Sequence, residues 1–290
     1  MTVRTAVITA AGYGTRFLPI TKAVPKEMLP LVDRPVIHYA VEQAVEAGIE
    51  RIILVTSEGK ETTEEYFRPS LTLERTLEER GSAKLDEVRR VSNMVEIVPV
   101  VQEQQRGLGH AVLCAKEMVG NEPFIVYLPD EILLGTPSVT KQVLGAFERL
   151  DECIVGVKEV PREDVERYGV AAGERLNDHE MRLSHCVEKP SIVDAPSNLA
   201  IFGPYVFTPA IFECLESITT GAFGELQLTD GIDLLASREP VFAYSFEGER
   251  YDAGTPLGLL ETSVELALKR SEYADDVKRW IRALAERLDS

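Results

Sequence analysis

The spacing of apolar residues predicts strands that alternate with helices through the first 160 residues. Apolar runs of strand length lie at 3–9, 51–56, 95–102, 124–128 and 152–160. Between them, apolar residues recur at helical spacing, most clearly over 35–48 and 138–150, and further helices are predicted at 60–67, 71–91 and 107–119. Strand–helix–strand alternation predicts parallel strands that are joined by right-handed crossovers.

The pattern changes after residue 160. Short strand-like runs at 169–176 and 181–188 lie on either side of Asn177-Asp178, which is typical of a hairpin turn. Further elements follow, with strands at 199–207, 241–246 and 249–252, helices after Pro209 and at 226–237, and two closing helices at 257–270 and 274–288. We therefore expect one α/β domain, a three-layer sandwich around a mostly parallel, Rossmann-like central sheet with a small β-rich part and C-terminal helices.

Charge and composition exclude several classes of protein. The 290 residues carry a formal net charge of −17, so a nucleic acid would be repelled. No apolar run approaches the ~20 residues of a membrane helix, and the start does not resemble a signal peptide, so we predict a cytoplasmic protein without a membrane partner. The four cysteines form no CxxC pair and the four histidines show no ligand spacing, which argues against a zinc site.

A glycine-rich stretch with two cations follows the first predicted strand. Gly12 and Gly14 permit a sharp turn whose backbone N–H groups can point at an anion. Arg16 adds a fork of donors suited to phosphate, and Lys26 follows ten residues later. A dinucleotide fingerprint would need a third glycine at Phe17, and no P-loop closes here. The stretch favours phosphate binding, and a plain strand-to-helix turn with surface charges is the alternative.

Polar residues at the ends of other predicted strands form a second group of candidates. Ligands of open α/β sheets bind beyond the carboxyl ends of the strands. Asp130 ends an apolar strand and suits Mg²⁺, Asp252 is a candidate second carboxylate, and a helix N-cap is the alternative for each. The amide of Gln102 complements the N3–H and O4 edge of uracil or thymine, although a polar surface loop has the same composition.

A charged pair ends the strand predicted at 181–188. Neighbouring strand residues point to opposite faces, so Glu188 can accept from sugar hydroxyls while Lys189 reaches a phosphate. Two exposed charges before a proline are also typical of a solvated strand edge.

The order of motifs along the chain resembles one enzyme family closely. The stretches AAGYGTRFLP and TKAVPKEMLPLVDRPVIHYAVEQAVEAGI are followed by RGLGHAVLCA, YLPDEIL, RYGVA, VEKP, APSNLAIFGPYVF, GELQLTDGIDLL and YDAGTPLG. This series resembles the bacterial-type UTP–glucose-1-phosphate uridylyltransferases, or UDP-glucose pyrophosphorylases, of the sugar-1-phosphate nucleotidyltransferase family. The chain departs from the family at Glu131, where many relatives carry an apolar residue or Asp, and at YDAGT, which replaces a DCGN-like motif.

The resemblance implies a fold, a division of the chain and a reaction. The fold is that of a nucleotidyltransferase, similar to glycosyltransferase A, with a nucleotide-binding part at 1–160, a sugar-binding part at 161–255 and C-terminal helices at 256–290. The phosphate of glucose 1-phosphate attacks the α-phosphorus of UTP in line with Mg²⁺ bound, and pyrophosphate leaves. A homodimer or homotetramer is also implied.

The resemblance further implies roles for individual residues. Uracil is held by Ala11, Gly12, Gln102 and Gly107. The triphosphate is surrounded by Gly14, Thr15, Arg16 and Lys26, and Mg²⁺ is held by Asp130 and Asp252. Glucose contacts Gly169 and Glu188, and its phosphate contacts Lys189. The residues with catalytic roles are Arg16, Lys26, Asp130 and Lys189.

Three other functions stay open at this point. The same chemistry with dTTP or another sugar 1-phosphate is the nearest, because one methyl group is worth only about 1–3 kcal/mol of discrimination. A non-catalytic sugar-nucleotide-binding paralogue is disfavoured because the catalytic residues are all retained. A dinucleotide-dependent oxidoreductase is disfavoured by the missing third glycine.

Overall fold

A nine-stranded sheet runs through the computed structural model, which describes residues 2–219 and 224–288. Two smaller sheets of two strands each accompany it. In chain order the strands of all three sheets are β1 (Thr5–Thr9), β2 (Pro30–Leu31), β3 (Arg34–Pro35), β4 (Arg51–Thr56), β5 (Glu96–Val101), β6 (Phe124–Tyr127), β7 (Glu131–Leu134), β8 (Cys153–Glu159), β9 (Gly169–Arg175), β10 (Glu180–Glu188), β11 (Leu199–Phe207), β12 (Val241–Ser245) and β13 (Glu249–Asp252). The smaller sheets pair β2 with β3 and β7 with β13.

Helices connect most of these strands. They are α1 (Val36–Glu46), α2 (Glu61–Glu65), α3 (Leu71–Glu79), α4 (Lys84–Ser92), α5 (Leu108–Cys114), α6 (Lys116–Val119), α7 (Val139–Leu150), α8 (Ala210–Ser217), α9 (Leu228–Arg238), α10 (Pro256–Lys269) and α11 (Ala274–Leu288). Short 3-10 helices lie at Thr15–Phe17, Ile20–Lys22, Lys26–Met28 and Arg162–Arg167. Among the described residues, no helix has the length and apolar character that crossing a membrane requires.

The sheet is mixed, which corrects one part of the sequence prediction. Its order is β5-β4-β1-β6-β11-β8-β12-β10-β9. The first four strands are parallel, as predicted, and so are β8 and β12. Strand β11 enters antiparallel between β6 and β8, and β9 and β10 pair antiparallel at the other edge. The expectation of a mostly parallel sheet is wrong because apolar spacing does not reveal which strand β11 pairs with. The α/β class is confirmed.

Apolar residues that alternate along each strand bury both faces of the sheet. In β1, Val7 belongs to one core cluster, together with residues of α5, α8 and α9. Its neighbour Ile8 belongs to the other, together with residues of α1 and α7. Neighbouring strand residues point to opposite faces, so a continuous apolar run requires helices on both sides. The result is the three-layer arrangement that the sequence predicts.

Two local features differ from the sequence prediction. The helix predicted at 71–91 is divided into α3 and α4, and Gly81 between them has a φ of +58°, a left-handed conformation that commonly ends helices. Strand β7 was not predicted, since only four residues separate Asp130 from Gly135. It pairs antiparallel with β13, and Glu131 lies opposite Asp252. This small second sheet places the residues after β6 next to the end of β13.

Candidate functional site

One cleft of about 530 Å³ brings the predicted site residues together. It lies at the carboxyl ends of β1, β5 and β6, which are parallel and therefore end at the same edge of the sheet. The lining includes Ala11, Gly12, Gly14, Thr15, Arg16, Lys26, Gln102, Gly107, Asp130, Gly169, Glu188, Lys189 and Asp252. The roles assigned to these residues stay predictions.

Gly14 is required by the geometry of the loop after β1. Its φ is +63°, in the left-handed region that favours glycine. A methyl group at its α-carbon would lie 3.0 Å from the side chains of both Lys26 and Thr21, and Thr21 donates a hydrogen bond of 2.9 Å to the Gly14 carbonyl. The loop is therefore packed directly against the segment that carries Lys26.

A buried ion pair that the sequence analysis missed holds this loop from below. Lys60 Nζ donates to the carbonyl oxygens of Ala10 at 2.7 Å and Gly12 at 2.5 Å, and to Glu27 Oε2 at 3.0 Å. Lys60 and Glu27 are 7% and 1% exposed. Burial raises the pKa of Glu27 and lowers the pKa of Lys60, while the attraction between the two charges partly offsets both shifts. The ion pair joins the backbone of the loop to the residue next to Lys26.

Glu27→Gln is expected to lower the free energy of unfolding by about 3 kcal/mol, because the neutral amide leaves the buried ammonium of Lys60 without its counter-charge. Urea unfolding followed by circular dichroism measures the change. The exposed Glu58 provides the matched control, and Glu58→Gln is expected to change stability by less than about 0.5 kcal/mol. Equal stability of the two variants would contradict a structural role for the pair.

Lys26 and Asp130 form an ion pair inside the cleft. Lys26 Nζ lies 2.6 Å from Asp130 Oδ2, and about a fifth to a quarter of each side chain is exposed. Burial lowers the pKa of Lys26, but attraction to Asp130 and Glu27 outweighs it and raises the pKa above its ordinary value. Burial raises the pKa of Asp130, but Lys26 and Arg16 outweigh it, so this pKa lies below its usual range. Arg16 also donates to the carbonyl of Gly254 at 3.5 Å.

The carboxylates of Asp130 and Asp252 face the same point, beside Gly254. A methyl group at the α-carbon of Gly254 would lie 2.9 Å from Asp130 Oδ2 and 3.0 Å from Asp252 Oδ1. The Gly254 N–H donates to Asp252 Oδ1 at 2.8 Å, and the Ala253 N–H donates to the Asp130 carbonyl at 2.8 Å. Mg²⁺ typically uses one or two carboxylates and completes its shell with phosphates and water, so this donor set fits it. Within the described ranges, no three His, Cys, Asp or Glu side chains are grouped to hold a metal.

A second ion pair not foreseen in the sequence lies beside the carboxylates. Arg250 donates to both oxygens of Glu131, at 2.5 and 2.8 Å. Its guanidinium lies over the rings of Phe202, at 4.0 Å, and Tyr168, at 5.2 Å, and 3.7 Å from Asp252. Burial raises the pKa of Glu131 to about 7, although Arg250 opposes the shift. The carboxylate of Glu131, the position at which the chain departs from the family, is thus paired with a cation that is 119 residues away in the sequence.

The hairpin of β9 and β10 brings the predicted sugar contacts together. Glu188 pairs in register with Gly169, and Thr229 donates a hydrogen bond of 2.6 Å to Glu188 Oε2. We expected Glu188 and Lys189 on opposite faces, but Lys189 Nζ lies 3.3 Å from Glu188 Oε1. The reason is that β10 ends at Glu188 and Lys189 has a φ of +45°, which interrupts the alternation of the strand. Thr229 carried no sequence signal that pointed to this contact.

Two of the predicted base contacts, Gln102 and Gly107, lie beside the start of α5. Gln102 is 3% exposed, and its amide nitrogen contacts His110 Nδ1 at 2.8 Å and the Gly107 carbonyl at 3.4 Å. Gln105 donates to the Ala11 carbonyl at 3.2 Å. Neither His110 nor Gln105 carried a sequence signal that pointed to these contacts. Their contacts connect the segment after β5 both to α5 and to the loop after β1.

Comparison with known proteins places this arrangement in a family. Residues 5–269 match the family model described as nucleotidyl transferase. The UTP–glucose-1-phosphate uridylyltransferase of Bacillus subtilis is 47% identical over 283 residues, which span 97% of each chain. The structure of a UDP-glucose pyrophosphorylase complexed with UDP-glucose is 42% identical with a TM-score of 0.85, and the match covers 93% of this chain and 100% of that one. A UTP-bound UGPase from Acinetobacter baumannii is 38% identical with a TM-score of 0.88, and that match covers 97% and 99%. The chain therefore belongs to the nucleotidyl transferase family and, within it, to the bacterial UTP–glucose-1-phosphate uridylyltransferases, as its motifs predicted.

Proposed function

We propose that this protein transfers the uridylyl group of UTP to glucose 1-phosphate and releases pyrophosphate. The observation that carries the proposal is the cleft itself, in which the cations of the glycine-rich loop segment face the Glu188–Lys189 pair across one open volume. The names of the relatives support the same reaction. The volume of the cleft, about 530 Å³, lies within the range of about 300–1,000 Å³ that is typical of ligand sites.

The triphosphate end of the cleft supplies positive charge and backbone donors. In the proposed complex, Gly14 and Thr15 approach the phosphates, and Arg16 and Lys26 offset the charge of the transferring and leaving groups. Transfer of this kind depends on positioning and charge neutralisation more than on a covalent catalyst. Lys26 is paired with Asp130, and its ammonium carries three donors, so it can turn from that carboxylate to a phosphate or contact both.

Asp130 and Asp252 would hold the divalent cation, for which we propose Mg²⁺. The cation would supply further charge neutralisation at the phosphate oxygens. Asp252 Oδ1 accepts from the Gly254 N–H, and its Oδ2 lies 3.5 Å from Arg167 and 3.7 Å from Arg250. Because these contacts hold Asp252 in place, whereas Lys26 can turn from Asp130 to a phosphate, we propose Asp130 as the principal ligand and Asp252 as a supporting one.

The sugar end of the cleft positions the attacking phosphate. We propose that Glu188 accepts from glucose hydroxyls beside Gly169, and that Lys189 contacts the phosphate of glucose 1-phosphate. No general base is needed, because the second pKa of a phosphate monoester is about 6 and the nucleophile is already ionised at neutral pH.

Gly169→Ala is expected to raise the KM for glucose 1-phosphate about tenfold while the KM for UTP changes less than twofold. The added methyl group would lie 2.6 Å from Thr229 Oγ1 and 3.3 Å from Glu188 Oε2, and crowding of this kind costs about 1–3 kcal/mol. Initial rates with each substrate varied in turn measure both constants. Gly145→Ala on α7, where the nearest atom is 3.7 Å away, is the matched control. An equal rise in both KM values would argue against a sugar contact here.

Pyrophosphate release from a panel of substrates tests the proposed function. UTP and dTTP are each combined with glucose 1-phosphate, galactose 1-phosphate and N-acetylglucosamine 1-phosphate. We expect the highest kcat/KM for UTP with glucose 1-phosphate. We expect only a small preference for UTP over dTTP, because a single methyl group separates the two bases. Failure of every pair to release pyrophosphate would indicate a non-catalytic sugar-nucleotide-binding protein instead.

The larger-scale features stay predictions. They are the nucleotide-binding part at 1–160, the sugar-binding part at 161–255, the C-terminal helices at 256–290, a homodimer or homotetramer and a cytoplasmic location. Strand β11 of the second part pairs with β6 of the first, so the two parts share one sheet. Sedimentation velocity of the full chain measures the state of assembly.

A further inference from the structure

The side chain of Gln102 is held in one orientation by two partners at the start of α5. An amide nitrogen carries two N–H donors and accepts nothing. Here Gln102 Nε2 contacts His110 Nδ1 at 2.8 Å and the carbonyl oxygen of Gly107 at 3.4 Å. Both donors are therefore in use, and the carbonyl oxygen Oε1 is the atom of this amide that remains to meet a ligand in the cleft.

The Gly107 carbonyl indicates which way the amide faces, although at 3.4 Å it holds the amide less strongly than His110 does at 2.8 Å. A carbonyl oxygen only accepts, so the nitrogen of Gln102 and not its oxygen must lie on that side. His110 Nδ1 must then accept as well, which requires a neutral ring with its proton on Nε2. The contact of Cys114 Sγ with the same Nδ1, at 3.9 Å, is compatible with a thiol that also donates. Burial and the charge of Arg106 lower the pKa of His110, which favours the neutral ring.

Both acceptors belong to one rigid turn. Gly107 has a φ of +105°, and a methyl group there would lie 2.6 Å from the carbonyl oxygen of Leu226. The Gly109 N–H donates to that same oxygen at 2.8 Å, and His110 follows in the first turn of α5. The turn is thus fastened to the segment before α9, so the positions of the two acceptors relative to Gln102 are set by backbone packing.

We propose that His110 is a positioning residue for base selection. It holds the Gln102 amide with its carbonyl oxygen toward the base, and the site thereby accepts pyrimidines that carry a proton on N3. Uracil donates through N3–H, whereas the N3 of cytosine is an acceptor and would face Gln102 Oε1 with no hydrogen between them. Two facing acceptors leave a buried polar group unpaired, which discriminates between ligands more strongly than a difference of one methyl group does. Thymine also carries N3–H, so this device separates UTP from CTP and leaves dTTP to other contacts. The inference rests on the proposed function, because it takes the nucleotide to lie against Gln102.

The ratio of kcat/KM for UTP to that for CTP tests the inference, with wild type, His110→Phe and His110→Asn compared. Phe fills the space of the ring but cannot accept, which leaves only the 3.4 Å contact with the Gly107 carbonyl to hold the amide, so the amide can turn its N–H₂ group toward the base. We expect His110→Phe to lower the UTP-to-CTP ratio at least about tenfold, mainly through a higher KM for UTP, with kcat changed less than about threefold. Asn places Oδ1 near the position of Nδ1 and can accept there, so His110→Asn is expected to keep the ratio within about threefold of wild type.

Binding of UTP and CTP measured by calorimetry supplies a readout that does not depend on turnover. A His110→Phe ratio equal to that of wild type, or an equal loss in both variants, would overturn the inference. If His110→Phe does not fold, His110→Leu takes its place with the same expectation. A wild-type enzyme that forms no pyrophosphate from UTP and glucose 1-phosphate would instead overturn the proposed function, so the two failures are distinguishable.

Discussion

Asp130→Asn is expected to lower kcat by about a thousandfold, with the remaining rate no longer dependent on Mg²⁺ concentration. The variant keeps the size of the side chain but removes the charge that we assign to the metal, and a bound metal supplies several kcal/mol of charge stabilisation. A thousandfold loss corresponds to about 4 kcal/mol. The backbone hydrogen bond from Ala253 to the residue 130 carbonyl is unaffected by the change, so the junction between β7 and β13 should persist. Steady-state rates across a series of Mg²⁺ concentrations measure the effect.

A matched carboxylate outside the cleft distinguishes loss of the metal from loss of negative charge. Asp178 lies exposed in the turn between β9 and β10, and Asp178→Asn is expected to retain the wild-type rate and its Mg²⁺ dependence. Circular dichroism should be the same for all three proteins. If Asp130→Asn responded to Mg²⁺ as wild type does, the metal assignment would be wrong.

The sequence predicted that these residues would lie together in one cleft, because the relevant signals are local. A strand end is recognisable from its apolar run, and Gly14, Gln102 and Asp130 each follow one. Parallel strands end at the same edge, so residues more than a hundred positions apart could be expected in one cleft. The glycine conformation at Gly14 and the hairpin that carries Glu188 were likewise readable from short motifs.

The pairs that support the site were not predictable in this way. Glu27 and Lys60 are 33 residues apart, and Glu131 and Arg250 are 119 apart. In the sequence each of these residues has the appearance of an ordinary surface charge, because the partner that makes burial possible belongs to another element. Strand β7 was missed for a related reason, since a run of four residues acquires its strand character from β13 and not from its own spacing.

Pairing also explains how a chain with a net charge of −17 can present cations to anionic substrates. Three cations in or beneath the cleft are matched by carboxylates: Lys26 with Asp130, Lys189 with Glu188, and Lys60 with Glu27. In the first two pairs the cation lines the cleft, so a phosphate can replace the carboxylate as its partner. In the third pair the cation is buried and its partners are carbonyl oxygens of the loop, so its role is to shape the loop.

Exchange of partners at Lys26 leads to the second large expected effect. Lys26→Ala should lower kcat about a hundredfold or more, since a preorganised cation at a transition-state charge typically contributes about 10²–10³ in rate. The fold should remain intact, because the side chain is about a fifth exposed and its neighbour Glu27 keeps its own partner in Lys60. Without substrate the same variant should bind Mg²⁺ more tightly than wild type, because the ammonium that lies 2.6 Å from Asp130 no longer competes with the metal.

These two effects have opposite signs, which separates the proposed role of Lys26 from general damage to the site. Damage would weaken both Mg²⁺ binding, measured by calorimetry, and turnover, measured by pyrophosphate release. Lys22→Ala, an exposed lysine on the same segment, is the control and is expected to match wild type in both measurements. Unchanged turnover in Lys26→Ala would remove this residue from the reaction, and weaker Mg²⁺ binding would contradict the expected competition between the ammonium and the metal.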